Sequence, residues 1–109
     1  MASTAAISKI LNDMRTAIDT GKFQGIDRKK NLDTLAHLGI SWEVAKEEIY
    51  DLTEADYRRG PMVDNDDFAS DLFWEFKKTI DGCPIYIKFK VVYQEDNRVK
   101  VVSFHIDGA

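Results

Sequence analysis

The fold is decided by residues 73–106, "FWEFKKTIDGCPIYIKFKVVYQEDNRVKVVSFHI". Apolar and polar side chains alternate through this stretch, which is typical of strands that bury one face. The alternation predicts three strands, over residues 73–80, 85–93 and 98–106. Asp81-Gly82 predicts a two-residue hairpin turn after the first strand, and Asp96-Asn97 predicts another after the second. We therefore expect a three-stranded antiparallel meander at least.

The two turns determine which residues lie opposite each other. Counting back from Asp81-Gly82 places Trp74 opposite Phe89, and counting from Asp96-Asn97 places Phe89 opposite Phe104. The face that contains these aromatic side chains is the expected core face. Its predicted members are Trp74, Phe76, Ile85, Ile87, Phe89, Val91, Val102, Phe104 and Ile106. A slip of one residue in either pairing would place lysines in the core, so this grouping is strongly favoured.

The opposite face of the predicted sheet is polar. It carries Glu75, Lys77, Tyr86, Lys88, Lys90, Ser103 and His105, and these residues are called the polar face below. The same count predicts that Lys88 lies opposite both Glu75 and His105, and that Tyr86 lies opposite Lys77. His105 is therefore expected to point away from the core because its strand neighbours on that side are also polar.

Two interpretations of the polar face are open. It can be an ordinary solvated surface whose cross-strand charge pairs contribute about 0.2–1 kcal/mol each, and composition alone favours this. Alternatively it can handle phosphate, because lysine and arginine side chains hold a phosphodiester and stabilise the charge that develops during its cleavage. Histidine with glutamate or tyrosine can then supply the general acid and base. A glutamate beside a lysine stays ionised and can act only as the base.

Helices are predicted upstream of the sheet. The first has an apolar stripe at three- and four-residue spacing and ends before Gly21. We expect Asp27 to cap a second helix that ends at Gly39, and Ser41 to cap a third. The apolar stripes are Ile7, Ile10, Leu11, Met14 and Ile18 in the first helix, Leu32, Leu35 and Leu38 in the second, and Val44, Ala45, Ile49 and Leu52 in the third.

A short turn and an acidic segment separate these helices from the sheet. Thr53 and Asp56 have the spacing of a capping box that opens a single turn, and Pro61 prevents a longer helix. The segment "DNDDFASD" at 64–71 is expected to be an acidic loop. The sequence thus predicts a single α+β domain over 1–109, with a helical half at about 4–60 packed on a sheet half at about 72–107.

Composition limits the possible functions. A formal net charge of −4 argues against nucleic-acid binding through an overall positive potential, although it leaves room for a local basic patch. The apolar runs are too short for a membrane span, and the first residues lack the pattern of a signal peptide. The single cysteine, Cys83, fits a reducing compartment. We therefore expect a cytoplasmic protein without a membrane partner.

Metal and cofactor sites are not predicted. Asp64, Asp66 and Glu75 have the spacing of the first, third and twelfth positions of an EF-hand loop, but Phe68 and Ala69 occupy positions that need an oxygen ligand and a glycine. His37 follows an apolar stripe and is interpreted as structural. With His105 as the second histidine and no clustered cysteines, there is no zinc pattern.

Several segments have an order and spacing that match a known family. They are "LTEADYRRGP" (52–61), "WEFKKTIDG" (74–82), "YIKFKVV" (86–92) and "VVSFH" (101–105), preceded by "ISKILNDMRTAIDTGKF" (7–23) and by the spacing from "LGIS" to "LTEADY". Together they resemble the MqsR family of bacterial toxins, in particular the branch whose last strand contains the letters SFH. The resemblance covers nearly the whole chain.

The resemblance implies an mRNA-cleaving toxin of a type II toxin–antitoxin pair, with a RelE-like ribonuclease fold and a DNA-binding antitoxin as partner. Such enzymes need no metal, and they use the ribose 2′-hydroxyl to leave a 2′,3′-cyclic phosphate. By position, the family's loop lysine corresponds to Arg59, or to Arg58 if the alignment shifts by one. Its strand tyrosine corresponds to Tyr86, with Lys88 beside it, and its last-strand lysine to His105. The family's glutamine has no equivalent, and Glu75 is the nearest polar residue.

The leading hypothesis is a metal-independent endoribonuclease that acts on mRNA at the polar face. The expected catalytic residues are His105, Lys88, Tyr86, Arg59 and Glu75, and the expected substrate-binding residues are Lys77, Lys90 and Arg58. Two alternatives remain. The chain can be a non-catalytic module that binds a partner through its acidic loop or an exposed strand edge, or it can be an inactive relative of the toxin.

Overall fold

Three helices precede the strands of the meander in the computed structural model, which describes residues 1–63 and 71–108. The helices are α1 (Thr4–Asp19), α2 (Lys29–Leu38) and α3 (Trp42–Tyr50). The strands are β1 (Phe23–Gly25), β2 (Tyr57–Met62), β3 (Phe73–Ile80), β4 (Cys83–Val92) and β5 (Arg98–Ile106). The α+β class is confirmed. No helix in the described part of the chain is long and apolar enough to cross a membrane.

The sheet has five strands in the order β1-β5-β4-β3-β2. The predicted meander forms its centre, and a strand is added at each edge. β1 pairs in parallel with β5, and β2 pairs antiparallel with β3. The sheet is therefore mixed, where a purely antiparallel one was expected. Of the predicted acidic loop at 64–71, only Asp71 lies within the described residues.

The pairing of β3 with β4 agrees with the prediction residue by residue. Trp74 lies opposite Phe89, Glu75 opposite Lys88 and Lys77 opposite Tyr86. Asp81 and Gly82 both have positive φ, at 49° and 75°, as the central residues of a tight hairpin turn require.

The pairing of β4 with β5 differs from the prediction, in which Lys88 faced His105. Tyr86 lies opposite His105, and Lys88 lies opposite Ser103. The connection is not a two-residue turn at Asp96-Asn97, because β4 ends at Val92 and β5 begins at Arg98. Beside this longer connection the strands are shifted by three residues from the predicted pairing. From Lys88 back to Ile85 the shift is two residues, so the predicted faces are kept there although the partners change.

A bulge in β5 corrects one predicted core residue. The pairing jumps between Lys88 opposite Ser103 and Phe89 opposite Val101, so Val102 is the extra residue in β5. Val102 is half-buried and lies outside the core, whereas Val101 and Val99 are fully buried. On the N-terminal side of the bulge, the odd-numbered residues of β5 point into the core. On its C-terminal side, the even-numbered residues do.

The helices cover the core face with most of their predicted stripes. Ser3 caps α1 and Ser41 caps α3, each by accepting a hydrogen bond from a backbone N–H. Two predicted core residues are exposed, Leu32 by 44% and Val44 by 42%. The buried apolar residues of the helical half are Ile7, Ile10, Leu11, Met14, Ala17, Leu35, Ala45, Ile49 and Leu52.

Helix α2 begins one residue later than predicted. Its N-cap is Arg28, whose side chain makes no capping hydrogen bond. Asp27 instead accepts a hydrogen bond from the Trp42 indole, Nε1 to Oδ1 at 2.8 Å. The predicted end of the helix is confirmed, because Gly39 lies in the left-handed region.

Helix α2 also covers the part of the β5 edge that the short β1 leaves unpaired. The side-chain amide of Asn31 donates to the Val102 carbonyl at 2.9 Å and accepts from the Phe104 N–H at 2.9 Å. One turn later, the Thr34 hydroxyl accepts from the Ile106 N–H at 3.1 Å. Both side chains are buried, so they replace the hydrogen bonds of a neighbouring strand. This contact fixes α2 beside the end of β5, where His105 lies.

Candidate functional site

Two rows of side chains cross the polar face because the register aligns them strand by strand. The first row crosses four strands and consists of Arg59, Glu75, Lys88 and Ser103. The second crosses three and consists of Lys77, Tyr86 and His105. The structure thus brings together most of the predicted site residues.

Glu75 is the centre of the hydrogen bonds on this face. Arg59 donates to its carboxylate twice, from Nε to Oε2 at 3.1 Å and from Nη2 to Oε1 at 3.0 Å. The Tyr86 hydroxyl donates to Oε1 as well. Glu75 is only 7% exposed, whereas the Arg59 side chain is 70% exposed. The buried Glu75 carboxylate therefore holds both the exposed Arg59 guanidinium and the Tyr86 hydroxyl in place.

The protonation states in this cluster follow from burial and hydrogen bonding. Burial acts to raise the pKa of Glu75, but the hydrogen bonds from Arg59 and Tyr86 outweigh it and the pKa is lowered. Burial, followed by the hydrogen bond to Glu75, strongly raises the pKa of the Tyr86 hydroxyl. At neutral pH the carboxylate is ionised and the phenol is protonated. Tyr86 can therefore donate hydrogen bonds but cannot act as a base.

His105 lies beside Tyr86 at the α2 side of the polar face. The ring centroids of the two residues are 5.2 Å apart, with the planes tilted by 36°. His105 Nδ1 is 3.1 Å from the carbonyl oxygen of Ile106. A carbonyl can only accept, so Nδ1 carries the proton in this contact and Nε2 is left to exchange one. His105 is half-buried, which leaves its ring accessible from one side.

The lysines of the polar face differ in their contacts. Lys77 forms an ion pair with Asp107, Nζ to Oδ2 at 2.5 Å. That contact lowers the pKa of the Asp107 carboxyl, first through its hydrogen bond. Lys88 and Lys90 both lie over the ring of Phe73, with Nζ 4.7 and 5.0 Å from its centroid. Lys90 is only 8% exposed, whereas Lys88 is half-buried and better placed to meet a ligand.

Arg58 is separated from the cluster. Its guanidinium donates to the carbonyl oxygens of Ala55 and Tyr57, at 3.2 and 2.9 Å. These contacts hold it against the short turn before β2. Of the two adjacent arginines, Arg59 is therefore the one that belongs to the polar face, and Arg58 shares no described contact with Glu75.

Arg28 belongs to this site although the sequence does not predict it. Its Nη1 lies 3.3 Å from the Val102 carbonyl oxygen and 3.5 Å from the Ser103 hydroxyl, so it extends the first row beyond β5. No local pattern marks Arg28, because its place depends on α2 covering the β5 edge. His37 was interpreted as structural, yet its side chain is exposed.

A metal site is not formed by the described residues. Within 1–63 and 71–108, no group of three or more histidine, cysteine, aspartate or glutamate side chains is placed to hold a metal ion. The three acidic residues considered for calcium cannot be compared, because Asp64 and Asp66 lie outside the described residues.

Comparison with known proteins adds no assignment. No protein-family model matches the chain, and a search of curated proteins finds no match either. The functional conclusion therefore depends on the geometry of the polar face together with the resemblance of the sequence segments.

Proposed function

We propose that this protein is the toxin of a type II toxin–antitoxin pair and cleaves mRNA without a metal at its polar face. The observation that carries the proposal is the contact of His105 with Tyr86, whose hydroxyl is bonded to the carboxylate that holds Arg59. The imidazole of His105 and the exposed guanidinium of Arg59 thus lie on one surface and are connected through Tyr86 and Glu75. These are the groups that metal-free phosphodiester cleavage needs.

The reaction consistent with this arrangement is attack of the ribose 2′-hydroxyl on the adjacent phosphorus. His105 exchanges a proton through Nε2, either with the 2′-hydroxyl or with the leaving 5′-oxygen. Arg59 and Lys88 supply positive charge to the phosphate oxygens as the negative charge increases. The products are a 2′,3′-cyclic phosphate and a 5′-hydroxyl, so every proton removed at one oxygen is returned at the other.

In this proposal, Glu75 and Tyr86 do not transfer protons. Glu75 was expected to be a possible acid–base counterpart of His105, but its carboxylate is engaged by Arg59 and Tyr86 and its pKa is lowered. We assign it the positioning of Arg59 and Tyr86. The Tyr86 ring can then orient the substrate or stack on a base, as aromatic side chains do with single-stranded RNA.

The remaining assignments follow from exposure and from the resemblance. Lys77 and Lys88 can contact the RNA backbone. Lys90 is buried and Arg58 is bonded to the Tyr57 carbonyl, so these two residues are less suited to bind RNA. The RelE-like fold and the antitoxin are implied by the MqsR resemblance. An antitoxin would be complementary to this acidic chain by carrying positive charge, or it would cover the lysines of the polar face directly.

Induction of the protein in bacteria tests this function. Growth and total mRNA are followed for the wild type, for His105→Ala and for Lys88→Ala at matched protein levels. We expect growth arrest with loss of mRNA in the wild type and strong attenuation in both variants. Full mRNA loss with both variants would show that the polar face is not the catalytic site.

A second candidate is a non-catalytic interaction module of the same fold. The observation that favours it is that two cations of the polar face already have acidic partners, Arg59 with Glu75 and Lys77 with Asp107. Such pairs are typical of an ordinary solvated sheet. Intact mRNA and normal growth after induction would favour this module or an inactive toxin relative.

A further inference from the structure

A surface cleft joins the polar face to helix α2. It has a volume of about 400 Å³, and its walls come from one side of α2 and from the end of β5. The lining residues are Lys30, Asp33, Thr34, His37, His105 and Ile106. The chain contains two histidines, and both of them line this cleft.

The position of His37 in this cleft is fixed by the packing of α2. Thr34 is hydrogen-bonded to the backbone of Ile106, and His37 follows Thr34 by three residues on the same side of the helix. His105 precedes Ile106 in the strand. The Thr34–Ile106 hydrogen bond therefore holds the part of α2 that carries His37 against the end of β5 that carries His105. The hydrogen bonds of Asn31, one turn earlier in α2, reinforce this contact.

The charge of the cleft suits a phosphate group. Lys30 contributes an ammonium group, and the carboxylate of Asp33 is paired with Lys29, Nζ to Oδ2 at 2.7 Å. On the strand side, Asp107 is engaged by Lys77. Asp33 and Asp107 thus each have a cationic partner, which reduces their repulsion of an anion.

We propose that this cleft binds the scissile phosphodiester of RNA and that His37 and His105 form the acid–base pair of its cleavage. The inference deepens the proposed function and depends on it for the identity of the substrate. One imidazole takes the proton of the 2′-hydroxyl as the oxygen–phosphorus bond forms. The other gives a proton to the 5′-oxygen as its bond to phosphorus breaks, so the two rings exchange protonation states in one turnover.

The cleft supplies His37 as the second member of the acid–base pair, so His105 does not need Glu75 in that role. Glu75 is ionised and bound to Arg59 and Tyr86, whereas His37 is exposed and lines the cleft together with His105. Lys30 would then hold a non-bridging phosphate oxygen from the helix side. The Tyr86 ring packs against the His105 ring, with the two centroids 5.2 Å apart.

Nuclear magnetic resonance of the full-length protein tests phosphate binding directly, because two histidines give two separable imidazole signals. The probes are adenosine and uridine 3′-monophosphate, each compared with its unphosphorylated nucleoside. We expect both histidine signals to shift with one common dissociation constant for the nucleotides and to stay unchanged with the nucleosides. His37→Gln assigns the signals.

Charge variants make this binding test specific. Lys30→Gln should weaken nucleotide binding by about three- to tenfold, the effect of losing one charge-assisted hydrogen bond. Asp33→Asn should strengthen binding, because it removes the negative charge that lines the cleft. Lys46→Gln removes a lysine from α3, away from the cleft, and should leave binding unchanged. A shift of His105 without His37, or equal effects of Lys30→Gln and Lys46→Gln, would overturn the proposal.

Cleavage kinetics separate this inference from the proposed function. Wild-type cleavage should pass through a maximum with pH, and His37→Gln should remove one limb of the profile and lower the rate by about a hundredfold or more. If the wild type cleaves RNA and His37→Gln has the same profile, the pair is wrong while the ribonuclease stands. If the wild type cleaves no RNA although both signals respond to nucleotide, the ribonuclease is wrong while the phosphate cleft stands.

Discussion

Tyr86 and His105 lie directly opposite each other on β4 and β5, with their ring centroids 5.2 Å apart. The tyrosine is fixed by its hydrogen bond to Glu75, so the histidine packs against a ring that cannot rotate freely. This contact connects the buried carboxylate on one side of the polar face with the imidazole on the other.

Replacement of Glu75 tests its role as an anchor. Glu75→Gln removes the charge that accepts the Arg59 fork and the Tyr86 hydroxyl, and we expect the free energy of unfolding to fall by about 1–2 kcal/mol. Urea denaturation at neutral pH measures it. As a control, Glu95→Gln removes an exposed carboxylate paired with Lys100 and should change stability much less. Equal losses in the two variants would contradict the anchoring role.

The effect of Glu75→Gln on the free energy of unfolding should depend on pH. The pKa of Glu75 is lowered from its ordinary value of 4.5, so its contribution to stability is complete above that value and is lost as the pH falls through the lowered one. The stability difference between the wild type and Glu75→Gln should therefore shrink in acid. Denaturation curves over a pH series measure it. A difference that stays constant down to the acid transition would show that the carboxylate is not specifically stabilised.

Removal of the Tyr86 hydroxyl should separate positioning from proton transfer. Tyr86→Phe keeps the ring beside His105 but deletes the donor to Glu75, so we expect RNA cleavage to fall while the shape of its pH profile is retained. The raised pKa of the phenol means that it stays protonated through the neutral range. Cleavage rates over a pH series check this. Loss of one limb of the profile in Tyr86→Phe would assign proton transfer to the tyrosine instead.

Two adjacent arginines provide a matched pair of variants. Arg59→Lys keeps the charge but loses the two-pronged contact with Glu75, and RNA cleavage should fall by about three- to tenfold because the guanidinium is no longer oriented. Arg58→Lys alters a side chain that donates to the carbonyl oxygens of Ala55 and Tyr57 and has no described contact with Glu75, so cleavage should hardly change. A larger effect at Arg58 would support the alternative alignment, in which the family's loop lysine corresponds to that residue.

The contact between α2 and the edge of β5 can be tested by measuring the free energy of unfolding. Asn31→Ala leaves the Phe104 N–H without its buried partner and removes one of two described donors to the Val102 carbonyl, the other being Arg28. The free energy of unfolding should fall by about 2–4 kcal/mol. Thr34→Val loses the single bond to Ile106, and about 1 kcal/mol is expected. Urea denaturation and amide exchange at Phe104 measure the effects. Unchanged exchange at Phe104 in Asn31→Ala would contradict the bridging role.

The sequence predicted the centre of the sheet because its signals are local. Asp81-Gly82 is a tight turn with both residues at positive φ, and it sets the pairing of Glu75 with Lys88 directly. Alternation then assigns every side chain of β3 and β4 to a face. The members of the polar face could therefore be named without a structure, and the register confirms them.

The features that were missed depend on contacts between distant segments. β1 has three residues and pairs in parallel, while β2 is irregular and contains Pro61, so neither shows an alternating pattern. No local signal marks the bulge at Val102, and Asp96-Asn97 suggested a shorter connection than the one that joins Val92 to Arg98. The cleft beside His105 required knowledge that α2 covers the edge of β5. Periodicity along one segment contains none of this information.

The proposed function requires His105 to perform metal-free RNA cleavage at the polar face. The most direct measurement incubates purified wild type and His105→Ala with single-stranded mRNA in the presence of a chelator, both alone and in a translating extract. We expect the wild type to leave 2′,3′-cyclic phosphate and 5′-hydroxyl ends, and His105→Ala to be slower by about a hundredfold or more. Intact mRNA with the wild type under both conditions, or equal cleavage by His105→Ala, would contradict the claim.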